Sequence, residues 1–269
     1  MFVTRVIVGL IIIPLVLLII LAGGWIFTVG VTLILGVAAW EFWRMVQRGG
    51  FKPSAFVLIA GVCAITLLRY SFGFYGSELA FTAAILVSMA LAVRSMENGV
   101  PQPVNDFAIN LAGLTYLGWI GSYFVAFRSL PQGEFWMLTA LPAAWLADTG
   151  AYLVGVRFGR HKLCPKVSPK KSWEGYLGGI PFAILGTAGL AALWNSYGVP
   201  ITAWQGALLG LIIAVLAPLG DLGESMLKRQ FGVKDTSNIL PGHGGVFDRI
   251  DSSLWAAVLG YYLITLFML

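Results

Sequence analysis

Charged side chains gather in one stretch near the C-terminal end of the sequence, residues 221–251. The stretch holds four basic and five acidic residues, although only 11% of the chain is charged. Its first polar side chains follow one another at i, i+3, i+4 and i+7, so a helix would place them on one face; they are Asp221, Glu224, Ser225 and Lys228. Two further acids, Asp248 and Asp251, stand three residues apart at the start of the last apolar run.

These two groups of carboxylates predict a metal site. They would repel each other on meeting unless a cation lay between them. Oxygen ligands that leave room for phosphate oxygens suit Mg²⁺. Two plainer interpretations remain open at this point: Asp251 or Ser252 could cap the last helix, and Asp221 with Lys228 could form a solvated helix face.

A paired-glycine turn, His243-Gly244-Gly245, lies between the two acidic groups. Glycine allows backbone N–H groups to approach an anion closely and to form a nest for phosphate. Such a turn is common on its own, but this one lies beside lysine, arginine and paired aspartates. We therefore expect it to take part in phosphate binding.

A second polar segment, residues 157–175, carries six basic residues and one acid. A basic patch beside a bilayer attracts anionic lipid headgroups without specificity. Its Ser168-Pro-Lys-Lys-Ser172 core also combines two hydroxyls with Lys170 and Lys171, which are donors that phosphate binding uses. Both interpretations of this segment remain open.

One acid, Asp148, lies inside an apolar run, in the sequence Trp-Leu-Ala-Asp-Thr-Gly-Ala-Tyr. An ionisable group at the centre of a membrane helix costs roughly 2.5–3.5 kcal/mol on insertion scales, which makes it a candidate site residue. The alternative is a structural hydrogen bond with Thr149 or with a neighbouring helix.

The elements that must position these residues are apolar. Hydrophobic residues make up 58% of the 269 residues and the mean hydropathy is +0.85, which excludes an ordinary cytosolic enzyme and a disordered chain. Several runs approach the length of about 20 residues with which a helix crosses a bilayer. They are, roughly, residues 5–22, 25–43, 55–70, 78–94, 107–127, 135–156, 176–194, 203–219 and 252–268. We predict an all-α, polytopic integral membrane protein with about nine transmembrane helices, the eighth broken by Pro218.

The basic residues predict an orientation. All of the 17 lysines and arginines except Arg69 and Arg128 lie in the N-terminal tail or in even-numbered loops. By the positive-inside rule, the N-terminus and these loops face the cytoplasm, together with segments 157–175 and 220–251. We expect a polar cleft between the last four helices that opens to the cytoplasm.

The chain divides into residues 1–130, with about five spans, and residues 131–269, which hold the predicted catalytic region. The net charge is +5, but the sequence contains no basic arm and no nucleic-acid-binding module, so we expect no nucleic-acid partner. Cys63 and Cys164 have the spacing neither of a disulfide framework nor of a zinc site.

Several motifs between about residues 145 and 251 form one familiar pattern. They are Asp148-Thr-Gly-Ala-Tyr152, Lys166-Val-Ser-Pro-Lys-Lys-Ser-Trp-Glu-Gly175, Ser225-Met-Leu-Lys-Arg229, Lys234-Asp235 and Pro241-Gly-His-Gly-Gly-Val-Phe-Asp-Arg-Ile-Asp251. Together they resemble the phosphatidate cytidylyltransferase, or CDP-diacylglycerol synthase, family. The first 130 residues are similar only in being apolar and multi-span.

This resemblance implies a magnesium-dependent enzyme that converts CTP and phosphatidate to CDP-diacylglycerol and pyrophosphate. A phosphate monoester has a second pKa of about 6, so the lipid phosphate is itself an adequate nucleophile near neutral pH. The reaction therefore needs no Ser or Cys nucleophile, which agrees with the absence of a catalytic triad motif from the sequence. The resemblance also implies a bacterial inner membrane location, a substrate in the inner leaflet and a homodimer.

The resemblance assigns roles to individual residues. It implies that Asp221 and Asp248 bind metal, with Asp251 as a third ligand or a helix cap. The residues predicted to be catalytic are Lys228, Arg229, His243 and Arg249, which would hold phosphates, and, as a weaker candidate, Asp148. The residues predicted to bind the triphosphate or the lipid headgroup are Ser168, Lys170, Lys171, Ser172, Ser225, Lys234, Gly244 and Gly245.

Two alternative functions remain. One is a related enzyme that transfers from CTP to another lipid phosphate, such as a polyprenyl phosphate or an archaeal ether lipid. The other is an ion-coupled transporter, which predicts polar residues near the middle of several spans. In this sequence the polar residues instead gather at one face, chiefly in segments 157–175 and 220–251, which favours an enzyme over a transporter.

Overall fold

The structure, a computed structural model, describes residues 2–242 and 244–268. The chain is mostly helical. Its α-helices are α1 (Phe2–Ala22), α2 (Gly24–Arg48), α3 (Ala55–Glu97), α4 (Pro103–Gly113), α5 (Tyr123–Arg128), α6 (Gly133–Phe158), α7 (Trp173–Ser196), α8 (Ala203–Leu216), α9 (Pro218–Gln230) and α10 (Phe247–Phe267). A π-helical segment, Leu114–Ile120, lies between α4 and α5, and two strands, β1 (Lys162–Cys164) and β2 (Ser168–Ser172), lie between α6 and α7.

Within the described part of the chain, five helical segments are long and apolar enough to cross a membrane. They are Gly24–Arg48, Ala55–Glu97, Trp173–Ser196, Ala203–Gln230 and Phe247–Phe267. Large apolar side chains such as Leu33, Leu86 and Leu185 are exposed on these segments, as a lipid-facing surface requires. The prediction of a helical protein with membrane-spanning segments is confirmed, whereas the count of nine spans and the cytoplasmic cleft stay predictions.

Helix α3 contains two of the predicted apolar runs, one on each side of Gly73. Gly73 has φ 64° and ψ −147°, a backbone conformation that is essentially restricted to glycine. A Cβ on Gly61 would lie 3.2 Å from the Cβ of Ala84, although a straight helix would separate these residues by roughly 35 Å. The chain therefore reverses at Gly73, and the two runs pack against each other.

The predicted break at Pro218 is present. Helix α8 ends at Leu216, and Pro218 is the first residue of α9. Proline suits this position because the first turn of a helix has no internal partner for its N–H. The break ends an apolar helix and begins the one that carries Asp221 and Glu224.

A short antiparallel hairpin corrects the prediction that all regular structure is helical. Lys162 pairs with Ser172, and Cys164 pairs with Ser168. Both Cys164 and Ser168 precede a proline, which disfavours the helical backbone in the residue before it and favours an extended one. The basic segment 157–175 is therefore held partly as a hairpin.

The chain forms two compact units. The first unit comprises Met1–Ser129 and Leu227–Ile250, and the second comprises Leu130–Met226 and Asp251–Leu269. In the second unit α6, α7 and α8 pack through small residues: a Cβ on Gly179 would meet the carbonyl of Ala147, and one on Gly206 would meet the carbonyl of Thr187. Small residues allow such close helix packing in membranes.

Candidate active site

Three carboxylates of the second unit converge where α9 and α10 begin. Asp221, Glu224 and Asp251 each offer an oxygen, and these oxygens lie within 4.8 Å of one another. Asp221 and Glu224 share one face of α9 because they are three residues apart. Gly220 allows the close approach, since a Cβ there would lie 2.6 Å from Cδ1 of Trp255 on α10.

This carboxylate cluster could hold a divalent cation. Glu224 is 1% exposed and Asp251 is 7% exposed, so water does little to weaken the repulsion among the charges. Carboxylate oxygens are the ligands that hard divalent cations prefer. Glu224 was noted in the sequence for its spacing but was not predicted to be a ligand.

Strand β2 brings one lysine to the cluster. Lys171 forms an ion pair with Asp221. The exposed side chain of Asp148 lies within electrostatic range of both residues. The positive charge of Lys171 therefore partly offsets the negative charge of the cluster.

The start of α7 fixes the end of the hairpin. Ser172 caps this helix by accepting a hydrogen bond from the Gly175 N–H at 3.2 Å. Glu174 accepts hydrogen bonds from the N–H groups of Arg160 and His161. These contacts give Ser172 a structural role in positioning Lys171, and its predicted role in substrate binding stays a prediction.

In the first unit, Asp248 is held by several donors. Lys228 Nζ lies 2.6 Å from its Oδ1. Its Oδ2 accepts from the Gly245 N–H at 2.8 Å, the Thr236 N–H at 3.0 Å and the Thr236 hydroxyl at 2.9 Å. The carboxylate is therefore fixed and the charge of Lys228 is balanced, while a metal-binding role for Asp248 stays a prediction.

A buried acid that sequence analysis did not single out, Glu41 on α2, supports the same loop. It is 0% exposed. It accepts from the Val246 N–H at 3.0 Å, the Phe247 N–H at 2.7 Å and the Ser237 hydroxyl, and the Thr236 hydroxyl lies 3.2 Å away. A carboxylate at the N-terminus of α10 is stabilised by the free N–H groups and by the helix dipole.

The paired-glycine turn is shaped by its backbone. Gly242 and Gly244 have φ 77° and 83°, values that favour glycine, and Leu240 bridges to Gly244. A Cβ on Gly245 would lie 2.7 Å from the Glu41 carboxylate oxygens. The Gly245 N–H binds Asp248, so these glycines have a structural role, and phosphate binding by Gly244 and Gly245 stays a prediction. His243 lies outside the described residues.

The remaining predicted residues lie on β2, on α9, in the loop after α9 and at the start of α10. Ser168 and Lys170 are on β2, Ser225 and Arg229 are on α9, Lys234 is in the following loop and Arg249 is on α10. The basic residues among them have exposed side chains; they are Lys170, Arg229, Lys234 and Arg249. Cationic side chains of this kind can bind phosphate, and their individual roles stay predictions.

Residues 3–267 match the cytidylyltransferase family. The chain belongs to that family and is therefore a nucleotidyltransferase. Relatives include the phosphatidate cytidylyltransferases of Mycobacterium bovis, 34% identical over 86% of this chain and 77% of the relative, and of Synechocystis, 32% identical over 91% of this chain and 90% of the relative. The phosphatidate cytidylyltransferase of Bacillus subtilis is 34% identical over 90% of this chain and 89% of the relative. The resemblance found in the motifs is confirmed over most of the chain.

Proposed function

We propose that the protein transfers the cytidylyl group of CTP to phosphatidate, giving CDP-diacylglycerol and pyrophosphate. The observation that carries this proposal is the similarity to phosphatidate cytidylyltransferases over nearly the whole chain. The membrane-spanning helices support it, because they would keep the enzyme where a diacyl substrate is dissolved.

The reaction requires two polyanions to meet. A phosphate oxygen of phosphatidate attacks the α-phosphorus of CTP, a new P–O bond forms, and the bond to the β-phosphate breaks with release of pyrophosphate. The lipid phosphate is already a nucleophile near neutral pH, because its second pKa is about 6. The protein therefore has to position the phosphates and balance their charge.

The carboxylate cluster fits Mg²⁺. Asp221, Glu224 and Asp251 would hold the ion. Sequence resemblance separately implies a metal-binding role for Asp248. When bound, Mg²⁺ supplies positive charge to the phosphate oxygens and orients the leaving group. Lys171 beside Asp221 contributes a further positive charge at the same place.

The chain's own cations would bind the substrates. Lys228 is nearly buried and fixed by Asp248, so its ammonium group is held in one place, which suits the stabilisation of charge on phosphate. The exposed Arg229, Arg249 and Lys170 would hold CTP or the lipid headgroup. We place this face in the cytoplasm, at the inner membrane of a bacterium, with acyl chains entering from the inner leaflet, and we propose a homodimer on family resemblance.

Transfer of label to lipid tests this function. Purified protein in detergent micelles receives [α-³²P]CTP and one of three acceptors: phosphatidate, a polyprenyl phosphate or an ether-lipid phosphate. We expect label in the organic phase with phosphatidate, together with an equal amount of pyrophosphate. Faster labelling of another acceptor would assign that substrate instead, and no labelling by folded protein would overturn the proposal.

A further inference from the structure

A cavity in the first unit is lined by none of the residues predicted to bind substrate or metal. Its volume is about 290 Å³, and it lies between the C-terminal end of α2 and the loop after α9. Its lining residues are Arg44, Arg48, Thr236, Ser237, Asn238 and Ile239. None of them is acidic, so the charge of the lining is positive.

The two arginines of the cavity carry positive charges that no carboxylate of the described residues balances. Arg44 and Arg48 are four residues apart, which places both on one face of α2, and both are exposed. Within residues 2–242 and 244–268, neither guanidinium has an ion pair or a hydrogen bond; Arg44 lies over the ring of Trp40, 5.3 Å from its centroid. That contact leaves the charge in place, and like charges one turn apart repel each other. An anion between them would relieve the repulsion.

The loop adds hydrogen-bond donors to the same cavity. Asn238 lines it and carries a side-chain amide, and in the described part of the chain the backbone N–H groups of Ser237 and Asn238 meet no acceptor. The Ser237 hydroxyl is held by Glu41, which is itself buried beneath the loop. Glu41 therefore stabilises the wall of the cavity, and its charge is met by the N-terminus of α10.

We propose that this Arg44–Arg48 pocket binds the phosphate groups of one substrate, as an anion site formed by the end of α2 and by residues 236–239, which belong to none of the sequence motifs quoted above. Guanidinium groups bind phosphate oxygens through paired, charge-assisted hydrogen bonds. The proposal rests on the proposed function, in which both the nucleotide and the lipid carry phosphate. The shared ligand chemistry is a phosphate oxygen, and the two sources are separated by the experiment.

The test compares arginine variants with a matched control. Arg44→Ala, Arg48→Ala and the double variant are compared with Arg94→Ala, which removes an exposed arginine of α3 that does not line the cavity. Initial rates are measured against CTP at saturating phosphatidate, and against phosphatidate at saturating CTP. Binding of labelled CTP by equilibrium dialysis, in micelles without phosphatidate, gives a measurement that does not need turnover.

We expect the KM for one substrate to rise about tenfold for each arginine removed, with little change in kcat. Arg44→Lys and Arg48→Lys should recover part of the loss, because lysine keeps the charge without the paired donors. A raised KM and weakened dialysis binding for CTP assign the pocket to the nucleotide. A raised KM for phosphatidate with unchanged CTP binding assigns it to the lipid.

Unchanged KM values in the double variant would overturn the proposal, whether or not kcat falls, and so would changes no larger than those of Arg94→Ala. If the double variant differs from the wild type only in how added phosphatidylglycerol changes its rate, with both KM values unaltered, the pocket is a general headgroup patch and the proposal is also overturned. If wild-type protein fails to turn over, the proposed function fails. The dialysis result still decides whether the pocket binds the nucleotide.

Discussion

Two acids within apolar helices show how far a single residue can be interpreted from sequence. Asp148 was identified as a candidate because a charged side chain in a membrane helix is energetically costly. The same argument would have identified Glu41, which lies in the apolar run 25–43. In the structure Glu41 holds the N-terminus of α10 and the loop at Ser237. These donors come from residues about 200 positions away, and no local pattern indicates such a pairing.

Replacing Glu41 by Gln should destabilise the protein by about 1–3 kcal/mol. Gln keeps the size of the side chain but removes the negative charge at the N-terminus of α10. Its NH₂ group is a donor, so it cannot accept the hydrogen bonds that the Val246 and Phe247 N–H groups donate to Glu41. The measurement is the thermal unfolding midpoint in detergent, with Glu78→Gln, an exposed acid of α3, as the control. Equal midpoints for the two variants would show that the Glu41 hydrogen bonds contribute nothing.

Asp248→Asn should abolish turnover while the protein stays folded in the membrane. It should also lower the unfolding midpoint, because Lys228 would keep a nearly buried charge without its carboxylate partner. The double variant Asp248→Asn/Lys228→Met should recover stability but not activity. Normal turnover by folded Asp248→Asn would remove Asp248 from the catalytic machinery.

At the scale of elements, the breaks between helices decide which side chains meet. The apolar runs and the break at Pro218 followed from sequence, because hydrophobic length and proline geometry act locally. The β1–β2 hairpin was not predicted, since its strands are short and have no alternating pattern. The approach of α9 to α10 depends on Gly220 fitting against Trp255, a tertiary contact that spacing along the chain does not encode.

Gly220→Ala tests that approach. The added Cβ would meet Trp255 and the Asp251 carbonyl, so we expect a loss of about 1–3 kcal/mol in stability and a higher Mg²⁺ requirement for turnover. Gly223→Ala is the matched control, because nothing lies within 4 Å of its Cβ and alanine favours a helix. Identical behaviour of the two variants would show that helix contact at Gly220 does not shape the cluster.

At the scale of the whole molecule, composition predicted a membrane protein, and the apolar helices agree with it. The predicted metal ligands were Asp221, Asp248 and Asp251, and their metal-binding roles stay predictions. Asp221 and Asp251 lie with Glu224 in the second unit, whereas Asp248 lies in the first unit with Lys228. The spacing of carboxylates along the sequence does not show which of them will converge, because the convergence of Asp221, Glu224 and Asp251 is a tertiary contact between α9 and α10.

The predicted orientation can be checked with single cysteines in a chain whose Cys63 and Cys164 are replaced by alanine. Lys166→Cys lies in a loop predicted to be cytoplasmic and Gln132→Cys lies on the opposite side, and both positions are exposed. A membrane-impermeant maleimide should label Gln132→Cys in spheroplasts, and Lys166→Cys only after lysis. The reverse pattern would invert the predicted topology.

We propose that cytidylyl transfer depends on a divalent cation held by Asp221, Glu224 and Asp251. The direct measurement is the rate of label transfer from [α-³²P]CTP to phosphatidate as Mg²⁺ is varied, for the wild type and for Glu224→Gln. We predict no transfer after chelation, and a Mg²⁺ requirement raised about tenfold or more in the variant. Undiminished transfer after chelation, or one Mg²⁺ dependence shared by both proteins, would contradict the account.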